Sequence, residues 1–461
     1  MDCINGFERL AKEIAAIGST EAYKRLSMLF DDGSYTELDR FAKNGENGCG
    51  VVTAYGNVNG TGVYAFSQDV SVLSGAMGRA QAAKIKKVYE LALSNGTPVV
   101  GIYDSKGALA EEGIDALNAY GDLIALSGKI SGVVPQISVI AGTCVGSAAI
   151  LANLADVVIM AKDAKLSVNS AAITGDGNTG SAESALKNGT VAVVTDTVED
   201  AVSDAAVLLS VMPANNLSVS SFSEYTPAEV VGDGVYATVN SVADGDSFIE
   251  LWYGFGGCAK VGFARVGGNA VGIVATDPDK NNSKLCGNGA SKIARFVRLC
   301  DAFSIPVVTL LDCAGFMGDA DDEADGSVKS VASLTAAYAE ATTAKVTVIT
   351  GKAYGAPYTA MAGSASGADV VLAVADSVIC ALEPMTAVQF LYSDRLGAEK
   401  REDLEKEYIL TVGSPFTAAE NGAVTDVITA DEIAAKTIAA LDMISSKRVS
   451  TLDKKHSNMP F

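Results

Sequence analysis

The sequence predicts two duplicated α/β domains, each built on a parallel sheet. The chain has 461 residues, which is too long for one ordinary hydrophobic core and suits two domains of about 200 residues. Predicted strands alternate with predicted helices in both halves, a pattern that is typical of parallel βαβ units. Four segments of the first half also recur in the second. We therefore expect domains at residues 1–230 and 231–461.

The four repeated segments keep their order along the chain. The pairs are 31–38 with 244–251, 51–60 with 261–268, 97–105 with 305–313, and 142–149 with 351–358. The third pair, "TPVVGIYDS" and "IPVVTLLDC", is offset by 208 residues, and the fourth, "GTCVGSAA" and "GKAYGAPY", by 209 residues. Four matches in register indicate a duplication, because chance does not preserve their order.

Each domain is expected to follow one order of elements. An entry strand precedes an amphipathic helix, at 78–96 in the first domain and 289–304 in the second, whose apolar residues recur at helical spacing. A β-branched strand follows, then a glycine-rich loop, a second helix, another strand ("VPQISVIA" or "AKVTVIT") and the turn of the fourth segment. Residues 215–240 are rich in Ser, Pro and Asn and poorly periodic, so they are expected to be the linker.

Composition excludes several classes of function. Lys and Arg number 34 against 55 Asp and Glu, and the net charge of −21 argues against nucleic acid as a partner. No run approaches the roughly 20 apolar residues of a spanning helix and no secretory signal is evident, so a cytoplasmic protein is expected. The eight cysteines are scattered and predict reduced thiols and no metal site. The single histidine, His456, leaves no base for Ser-His-Asp or Cys-His chemistry in the core.

The duplicated Gly-x-x-x-Gly turn is the strongest candidate for chemistry. A turn from a strand into a helix leaves the first N–H groups of the helix without intrahelical partners. Gly146 and Ser147 lie there in the first half, and Gly355 and Ala356 in the second. Two N–H groups aimed at one oxygen form an oxyanion hole, which requires no histidine. Alternatively, the small residues only let a helix pack close to a strand, and the residues alone leave both interpretations open.

Three other motifs favour ordinary surface structure. "GDGNTG" (175–180) fits a dinucleotide fingerprint, but the strand before it and the helix after it are poor, which favours a surface loop. "DADDEADG" (319–326) lacks the final glutamate of a calcium loop, which favours a solvated acidic loop. The charged segment 397–412 is expected to be a helix with a solvated face.

A set of phrases distributed along the chain identifies a family resemblance. They include "LFDDGSYTELD", "FSQDVSVLSGAMGRAQAAKI", "VGFARVGGNAVGIVA", "KIARFVRLCDAFSIPVVTLLDCAGF" and the tail "KKHSNMPF". In this order the chain resembles the carboxyltransferase subunits of biotin-dependent acyl-CoA carboxylases, together with the related transcarboxylases and the subunits of sodium-pumping decarboxylases. The resemblance runs from about residue 20 to residue 461, and only 165–235 is loose.

The resemblance implies two crotonase-like domains, the first binding an acyl-CoA and the second binding biotin on a separate carrier protein. The implied reaction moves a carboxyl group between biotin and the α-carbon of a short-chain acyl-CoA, of the propionyl/methylmalonyl or acetyl/malonyl type. The implied partners are a biotin carboxyl carrier protein and either a biotin carboxylase or membrane decarboxylase subunits. Family members are hexamers built as trimers of dimers, and no metal is implied in this chain.

The resemblance also assigns roles to individual residues. Gly146 and Ser147 would face the thioester oxygen, and Gly355 and Ala356 the biotin carbonyl. The implied acyl-CoA contacts are Lys106, Gly107, Ala108 and Thr359. The implied biotin contacts are Gly315, Phe316 and Pro357.

The chain departs from the family pattern at several of these places. Leu109 replaces an arginine, the histidine expected near 191–194 is missing, and Lys329-Ser330 replaces Arg-His. Pro357 has no N–H, so one expected donor to biotin is absent. These departures keep two alternatives open. One is a catalytically impaired structural or regulatory paralogue that assembles with an intact carboxyltransferase, and the other is a crotonase-like enzyme acting on CoA thioesters without biotin.

Overall fold

Each half of the chain folds around one mostly parallel sheet. The computed structural model describes residues 6–17, 20–45 and 47–458, so the last three residues of the tail phrase lie outside it. The chain divides into two compact units, Met1–Val219 and Ser220–Phe461. The boundary between them in the sequence falls inside the segment expected to be the linker. The end of that segment, Gly234–Asn240, is a helix rather than linker. Among the described helices, none is long and apolar enough to cross a membrane.

Unit 1 contains the first eight helices and the first ten strands. Its helices are α1 (Gly6–Ala16), α2 (Glu21–Leu29), α3 (Arg79–Asn95), α4 (Ile114–Ile130), α5 (Ser147–Asn153), α6 (Ala171–Thr174), α7 (Ala182–Lys187) and α8 (Val198–Val211). Its strands are β1 (Tyr35–Leu38), β2 (Lys43–Asn44), β3 (Asn47–Gly48), β4 (Val51–Val58), β5 (Thr61–Gln68), β6 (Val99–Ser105), β7 (Gln136–Val145), β8 (Val157–Ala161), β9 (Lys165–Ser167) and β10 (Val193–Thr195).

Unit 2 contains the remaining nine helices and ten strands of the described chain. Its helices are α9 (Gly234–Asn240), α10 (Gly287–Ala302), α11 (Ala320–Ala324), α12 (Ser327–Glu340), α13 (Ala356–Met361), α14 (Pro384–Leu391), α15 (Arg401–Thr411), α16 (Pro415–Glu420) and α17 (Ile433–Ile444). Its strands are β11 (Ile249–Leu251), β12 (Ala259–Val266), β13 (Asn269–Thr276), β14 (Lys284–Leu285), β15 (Val307–Cys313), β16 (Gly315–Phe316), β17 (Lys345–Tyr354), β18 (Val370–Val374), β19 (Val378–Cys380) and β20 (Asp426–Ile428).

The two main sheets have the same topology. The strand order is β1-β4-β5-β6-β7-β8-β10 in unit 1 and β11-β12-β13-β15-β17-β18-β20 in unit 2. A short strand pairs with the far end of the central strand in each unit, β9 with β7 and β19 with β17. The duplication predicted from sequence is therefore present strand by strand, and the parallel pairing of the central strands follows from the helical crossovers between them.

The entry edge of each sheet is antiparallel, which the strand–helix alternation does not predict. β4 and β5 are joined by Asn59-Gly60, and β12 and β13 by Gly267-Gly268. All four residues have positive φ, between 50° and 79°, as a two-residue type I′ hairpin turn requires. A two-residue connection can join only antiparallel neighbours, so each sheet begins with a hairpin.

The predicted amphipathic helices α3 and α10 cover equivalent positions. Helix α3 ends at Gly96, whose φ of 62° suits a left-handed C-cap. Its buried face includes Ile85, Val88 and Ala92, which belong to the same apolar cluster as Phe66 in β5. On the analogous helix α10, Phe296 stacks on Phe263 of β12 at a centroid distance of 5.3 Å. Burying such a ring contributes roughly 1.5–3 kcal/mol, which fixes helix against sheet.

Two of the three surface motifs differ from expectation in detail. The acidic segment 319–326 is not a loop throughout, because the carboxylate of Asp319 accepts hydrogen bonds from two backbone N–H groups and caps the short helix α11. The charged segment becomes helical at Arg401, four residues after its expected start. Residues 175–178 of the glycine-rich motif are solvent-exposed.

Candidate active site

The fourth repeated segment ends in a backbone turn that only glycine adopts easily. Gly146 has φ 65° and ψ −134°, and Gly355 has φ 61° and ψ −126°. Side chains are disfavoured in this region because their Cβ atom clashes with the backbone. Helices α5 and α13 begin at the next residue in each case. The two units therefore share one strand–glycine–helix turn with almost identical dihedral angles.

The N–H groups of the two glycines are already engaged. The Gly146 N–H donates to the carbonyl of Ser167 in β9 at 3.0 Å, and the Gly355 N–H donates to the carbonyl of Cys380 in β19 at 2.9 Å. Within the described part of the chain, no partner is recorded for the N–H of Ser147 or of Ala356. The glycines thus shape the turns, while the first residue of each helix carries the free donor.

A second free N–H lies beside the first in unit 1. Ser105, at the end of β6, pairs in register with Cys144 of β7, so the loop that follows β6 runs alongside Gly146 and Ser147. The Met77 N–H donates to the Gly107 carbonyl and the Leu109 N–H donates to the Met77 carbonyl, each at 2.9 Å. The N–H of Ala108, between them, has no partner recorded among the described residues.

Unit 2 repeats this arrangement. Cys313 at the end of β15 pairs in register with Ala353 of β17, and the strand β16 follows. β16 pairs in parallel with β14, and the Met317 N–H donates to the Leu285 carbonyl at 3.0 Å. With the Met317 N–H engaged by β14, the neighbouring Phe316 N–H is the candidate donor of this loop. Phe316 and Ala356 therefore correspond to Ala108 and Ser147.

Each of these loops is supported by a rare left-handed turn. Residues 73–75 and 281–283 form single 3₁₀ turns in which all three residues have positive φ, between 51° and 68°. The Ser74 carbonyl accepts a hydrogen bond from the Lys106 N–H at 3.3 Å, and the Ser283 carbonyl accepts one from the Ala314 N–H at 2.7 Å. Non-glycine residues in this region are strained by roughly 1–3 kcal/mol each, and such strain is concentrated at functional sites.

Residues 15–459 match the family model described as "Carboxyl transferase domain". The chain belongs to this family. It is 36% identical to the "Propionyl-CoA carboxylase, carboxyltransferase subunit" of Haloferax mediterranei, over 96% of this chain and 94% of that one. It is 34% identical to the "Methylmalonyl-CoA decarboxylase subunit alpha" of Veillonella parvula, over 99% and 96% of the two chains.

A solved structure confirms the fold of this carboxyl transferase family member. The chain matches transcarboxylase 12S with a TM-score of 0.90 and 34% identity, covering 98% of this chain and 95% of that one. That structure is described as a hexamer assembly with methylmalonyl-coenzyme A and methylmalonic acid bound. The predicted family resemblance and the duplicated crotonase-like α/β fold are both confirmed.

The remaining predicted site residues lie in both units, near the turns described above. Lys106 is exposed and Gly107 is buried beside Val145, at the turn of unit 1. In unit 2, Pro357 is buried at the start of α13, where its missing N–H costs no intrahelical bond. The others in unit 2 are Gly315, which is half-buried, and Thr359, which is exposed on α13.

A carboxylate near the end of β6 and one near the end of β15, which sequence reasoning did not assign to the site, each pack against a glycine of the neighbouring central strand. Asp104 lies against Gly142, where a Cβ atom would collide with the carboxylate, and it accepts a 3.0 Å hydrogen bond from Arg25. Asp312 lies against Gly351 in the same manner, and it accepts from the Lys352 N–H at 2.9 Å. Both aspartates close the repeated third segment, so the 208-residue offset is the signal that could have identified them.

Cysteines near the turns are not suited to nucleophilic catalysis. Burial raises the pKa of Cys380 to about 12 and that of Cys313 to about 11. Burial also raises the pKa of Cys144 far above its usual value. These thiols remain protonated near neutral pH, and the thiolate is the reactive form of cysteine. The turns of this carboxyl transferase therefore offer backbone dipoles rather than a covalent nucleophile.

Proposed function

We propose that the chain is a carboxyltransferase subunit that moves a carboxyl group between carrier-bound biotin and the α-carbon of a short-chain acyl-CoA. The observation that carries this proposal is the duplicated pair of free N–H groups, Ala108 with Ser147 and Phe316 with Ala356. The carboxyl group passes between an acyl-CoA thioester and the ureido ring of biotin, so negative charge develops on one carbonyl oxygen of each partner. Two N–H groups per oxygen are what such charge requires, and each contributes about 2.7–4 kcal/mol.

Unit 1 is proposed to bind the acyl-CoA. The Ala108 and Ser147 N–H groups would hold the thioester oxygen, and stabilise the enolate that forms when the α-carbon loses its carboxyl group or proton. The exposed ammonium of Lys106 at the edge of this loop suits the phosphates of coenzyme A. Thr359 on α13 is the proposed contact to the acyl end.

Unit 2 is proposed to bind biotin. The Phe316 and Ala356 N–H groups fit a single planar carbonyl oxygen, such as that of the biotin ureido ring. Biotin, when bound, supplies the nitrogen that carries the carboxyl group. Gly355 shapes the turn around this oxygen, Gly315 allows the close approach of the backbone, and Pro357 fixes the start of α13.

The proposed assembly follows from the relatives. The Haloferax relative is named as a subunit of a carboxylase, the Veillonella relative as a subunit of a decarboxylase, and the transcarboxylase structure as a hexamer. We infer a cytoplasmic hexamer that works with a biotin carboxyl carrier protein, and with either a biotin carboxylase or membrane decarboxylase subunits. Loss of the family's arginine at Leu109 leaves both N–H pairs in place, which favours an active subunit over an impaired paralogue.

Transfer between methylmalonyl-CoA and biotin tests the proposal directly. The purified chain is incubated with methylmalonyl-CoA and free biotin or a biotinylated carrier domain, and propionyl-CoA is measured by mass spectrometry. We expect release of propionyl-CoA that depends on biotin, with malonyl-CoA as a parallel substrate. A folded chain that transfers no carboxyl group from either thioester would contradict the proposal, and recovery of activity only on adding an intact paralogue would establish the impaired alternative.

Substitution of Pro357 tests which N–H groups serve the biotin oxygen. If the donors are Phe316 and Ala356, the N–H restored by Pro357→Ala is superfluous, and the transfer rate should stay within about threefold of the wild type. The free energy of unfolding should fall by about 0.4–1 kcal/mol, because proline restricts the unfolded chain. Steady-state kinetics and urea unfolding measure the two effects. A tenfold or larger rise in rate would show instead that the proline blocks a needed donor.

A further inference from the structure

Two cysteine thiols are in contact beside the site of unit 2. The sulfurs of Cys258, just before β12, and Cys286, at the start of α10, lie 3.0 Å apart. Cys258 is buried, while Cys286 is half-buried and therefore reachable from solvent. All seven cysteines that the structure describes are free thiols, and this is the one pair among them recorded in sulfur–sulfur contact. The pair is not used by the proposed carboxyl transfer.

The duplicated fold shows what occupies this position in unit 1. The residues 208 positions earlier are Gly50 and Gly78, neither of which has a side chain. Beside Gly50 the space is filled by Gln81 of α3, whose amide donates to the Gly50 carbonyl at 2.9 Å, and beside Gly78 it is filled by the carboxylate of Glu112. A Cβ atom on Gly50 would lie 2.8 Å from that amide nitrogen. Unit 1 therefore has room for the amide only because Gly50 lacks a side chain.

Unit 2 fills the same space with sulfur. Gly289 of α10 stands where unit 1 has Gln81, and a Cβ atom on Gly289 would lie 2.5 Å from the sulfur of Cys258. The glutamine is thus replaced by glycine, and the two glycines are replaced by Cys258 and Cys286. Differences at three equivalent positions therefore accompany the replacement of a hydrogen-bonded amide by a pair of packed thiols. The pairing of the cysteines is consequently part of the packing of this unit.

The surroundings of the two thiols differ. The Cys286 sulfur accepts from the Gly289 N–H at 3.4 Å in the first turn of α10, where the helix dipole favours an anion. A hydrogen bond from the Cys258 thiol is the main factor that lowers the pKa of Cys286. The same bond, and then burial, raise the pKa of Cys258. Lys292 on α10 is buried and interacts electrostatically with both thiols, while its burial lowers the pKa of its ammonium to about 8.

We propose that Cys258 and Cys286 form a reversible redox pair, which a hydroperoxide converts to a disulfide and a dithiol reductant restores. The half-buried Cys286, as its thiolate, attacks the peroxide, so that an S–O bond forms and the O–O bond breaks. The leaving alkoxide, or hydroxide from hydrogen peroxide, takes a proton from solvent and departs as an alcohol or water. Cys258 then attacks the sulfenic sulfur, and the S–O bond breaks as water leaves with the proton of the Cys258 thiol. Two thiols are oxidised and one peroxide is reduced.

The pair adjoins the biotin site through the chain. Cys286 directly follows Leu285, the residue of β14 that pairs with Phe316 and accepts the hydrogen bond from Met317. The proposed disulfide would join Cys258, which precedes β12, to Cys286, which follows β14. The modification site therefore lies next to the loop that carries the Phe316 N–H, although its chemistry is independent of carboxyl transfer.

Peptide mapping of the intact chain tests this proposal. The purified full chain is treated with a few equivalents of hydrogen peroxide, alkylated and digested, and the peptides are identified by mass spectrometry. We expect one disulfide-linked peptide pair containing Cys258 and Cys286, the loss of two alkylatable thiols, and the return of both after dithiothreitol. Cys49→Ser, which removes a buried cysteine next to Gly50 in unit 1, is the matched control and should retain the linked pair.

Single substitutions distinguish the cysteine that attacks the peroxide, Cys286, from the cysteine that then forms the disulfide, Cys258. Cys258→Ser should stop the reaction at the sulfenic acid of Cys286, which dimedone captures, whereas Cys286→Ser should yield neither dimedone adduct nor linked peptide. Circular dichroism establishes that each variant is folded. Absence of the linked pair in folded wild-type protein would overturn the proposal. It would also be overturned if peroxide consumed the Cys286 thiol equally in the wild type and in Cys258→Ser, and if dithiothreitol did not restore it.

Discussion

Replacement of Gly146 or Gly355 by alanine is expected to lower the rate of carboxyl transfer by about 100- to 1000-fold, the loss that follows removal of one oxyanion donor. A Cβ atom is disfavoured at φ 65°, ψ −134° and at φ 61°, ψ −126°. The turn must therefore open, and the N–H groups of Ser147 or Ala356 move away from their oxygen. Steady-state transfer from methylmalonyl-CoA to biotin measures the loss, mainly in kcat.

A third positive-φ glycine provides the control for these variants. Gly175 has φ 74° and ψ 4°, and a Cβ atom added there would meet nothing within 4 Å. It lies in the exposed glycine-rich loop. Gly175→Ala carries a conformational cost of about 1–2 kcal/mol in the left-handed α region, yet it should leave the transfer rate within about twofold of the wild type. If Gly146→Ala retains more than a tenth of the wild-type rate while folded, the turn of unit 1 does not hold the reacting oxygen.

The fold is predictable because the duplication presents each element twice. The helix expected at 78–96 occupies Arg79–Asn95, and the one expected at 289–304 occupies Gly287–Ala302. Both have long amphipathic patterns with clear ends, which is the strongest local signal that a sequence offers. The antiparallel hairpins were not predicted, although Asn59-Gly60 and Gly267-Gly268 are hairpin signals, because the alternation of strands and helices favoured parallel units throughout.

The site is only partly predictable because its donors belong to the backbone. The glycine turns are visible as short motifs, but the engagement of their N–H groups by β9 and β19 depends on strand pairing. Ala108 and Phe316 become donors because of hydrogen bonds made by the residues on either side of them. The left-handed turns at 73–75 and 281–283 carry mostly non-glycine residues, so no sequence signal marks them.

Comparison of the two units separates backbone requirements from side-chain ones. The glycine turn, the left-handed turn and the strand-end aspartate recur in both units with the same conformation. Side chains around them have diverged, as in Ala148 and Pro357, or Gly78 and Cys286. This pattern is expected of sites that act through main-chain dipoles, where the fold supplies the donors and the neighbouring side chains are free to take different roles.

Removal of the Arg25 guanidinium is expected to be the most damaging side-chain substitution for the stability of unit 1. Arg25 Nη2 and Asp104 Oδ2 lie 3.0 Å apart, and each side chain is only 12% exposed. Arg25→Met leaves the Asp104 carboxylate without its cation, close to Gly142. Breaking one side of a buried ion pair costs about 3–5 kcal/mol. Urea unfolding followed by hydrogen-exchange mass spectrometry measures the free energy of unfolding in each unit separately.

The adjacent residue supplies a matched control for this ion pair. Lys24 pairs with Glu21 at 2.5 Å on the same helix, but these side chains are 59% and 61% exposed, so Lys24→Met should cost less than about 1 kcal/mol. Asp104→Asn combined with Arg25→Met should be less damaging than the two single effects added together, because the uncompensated charge is gone. Equal losses for Arg25→Met and Lys24→Met would show that the ion pair does not stabilise the strand end. In that case the space left by Gly142 would be enough to accommodate the Asp104 side chain.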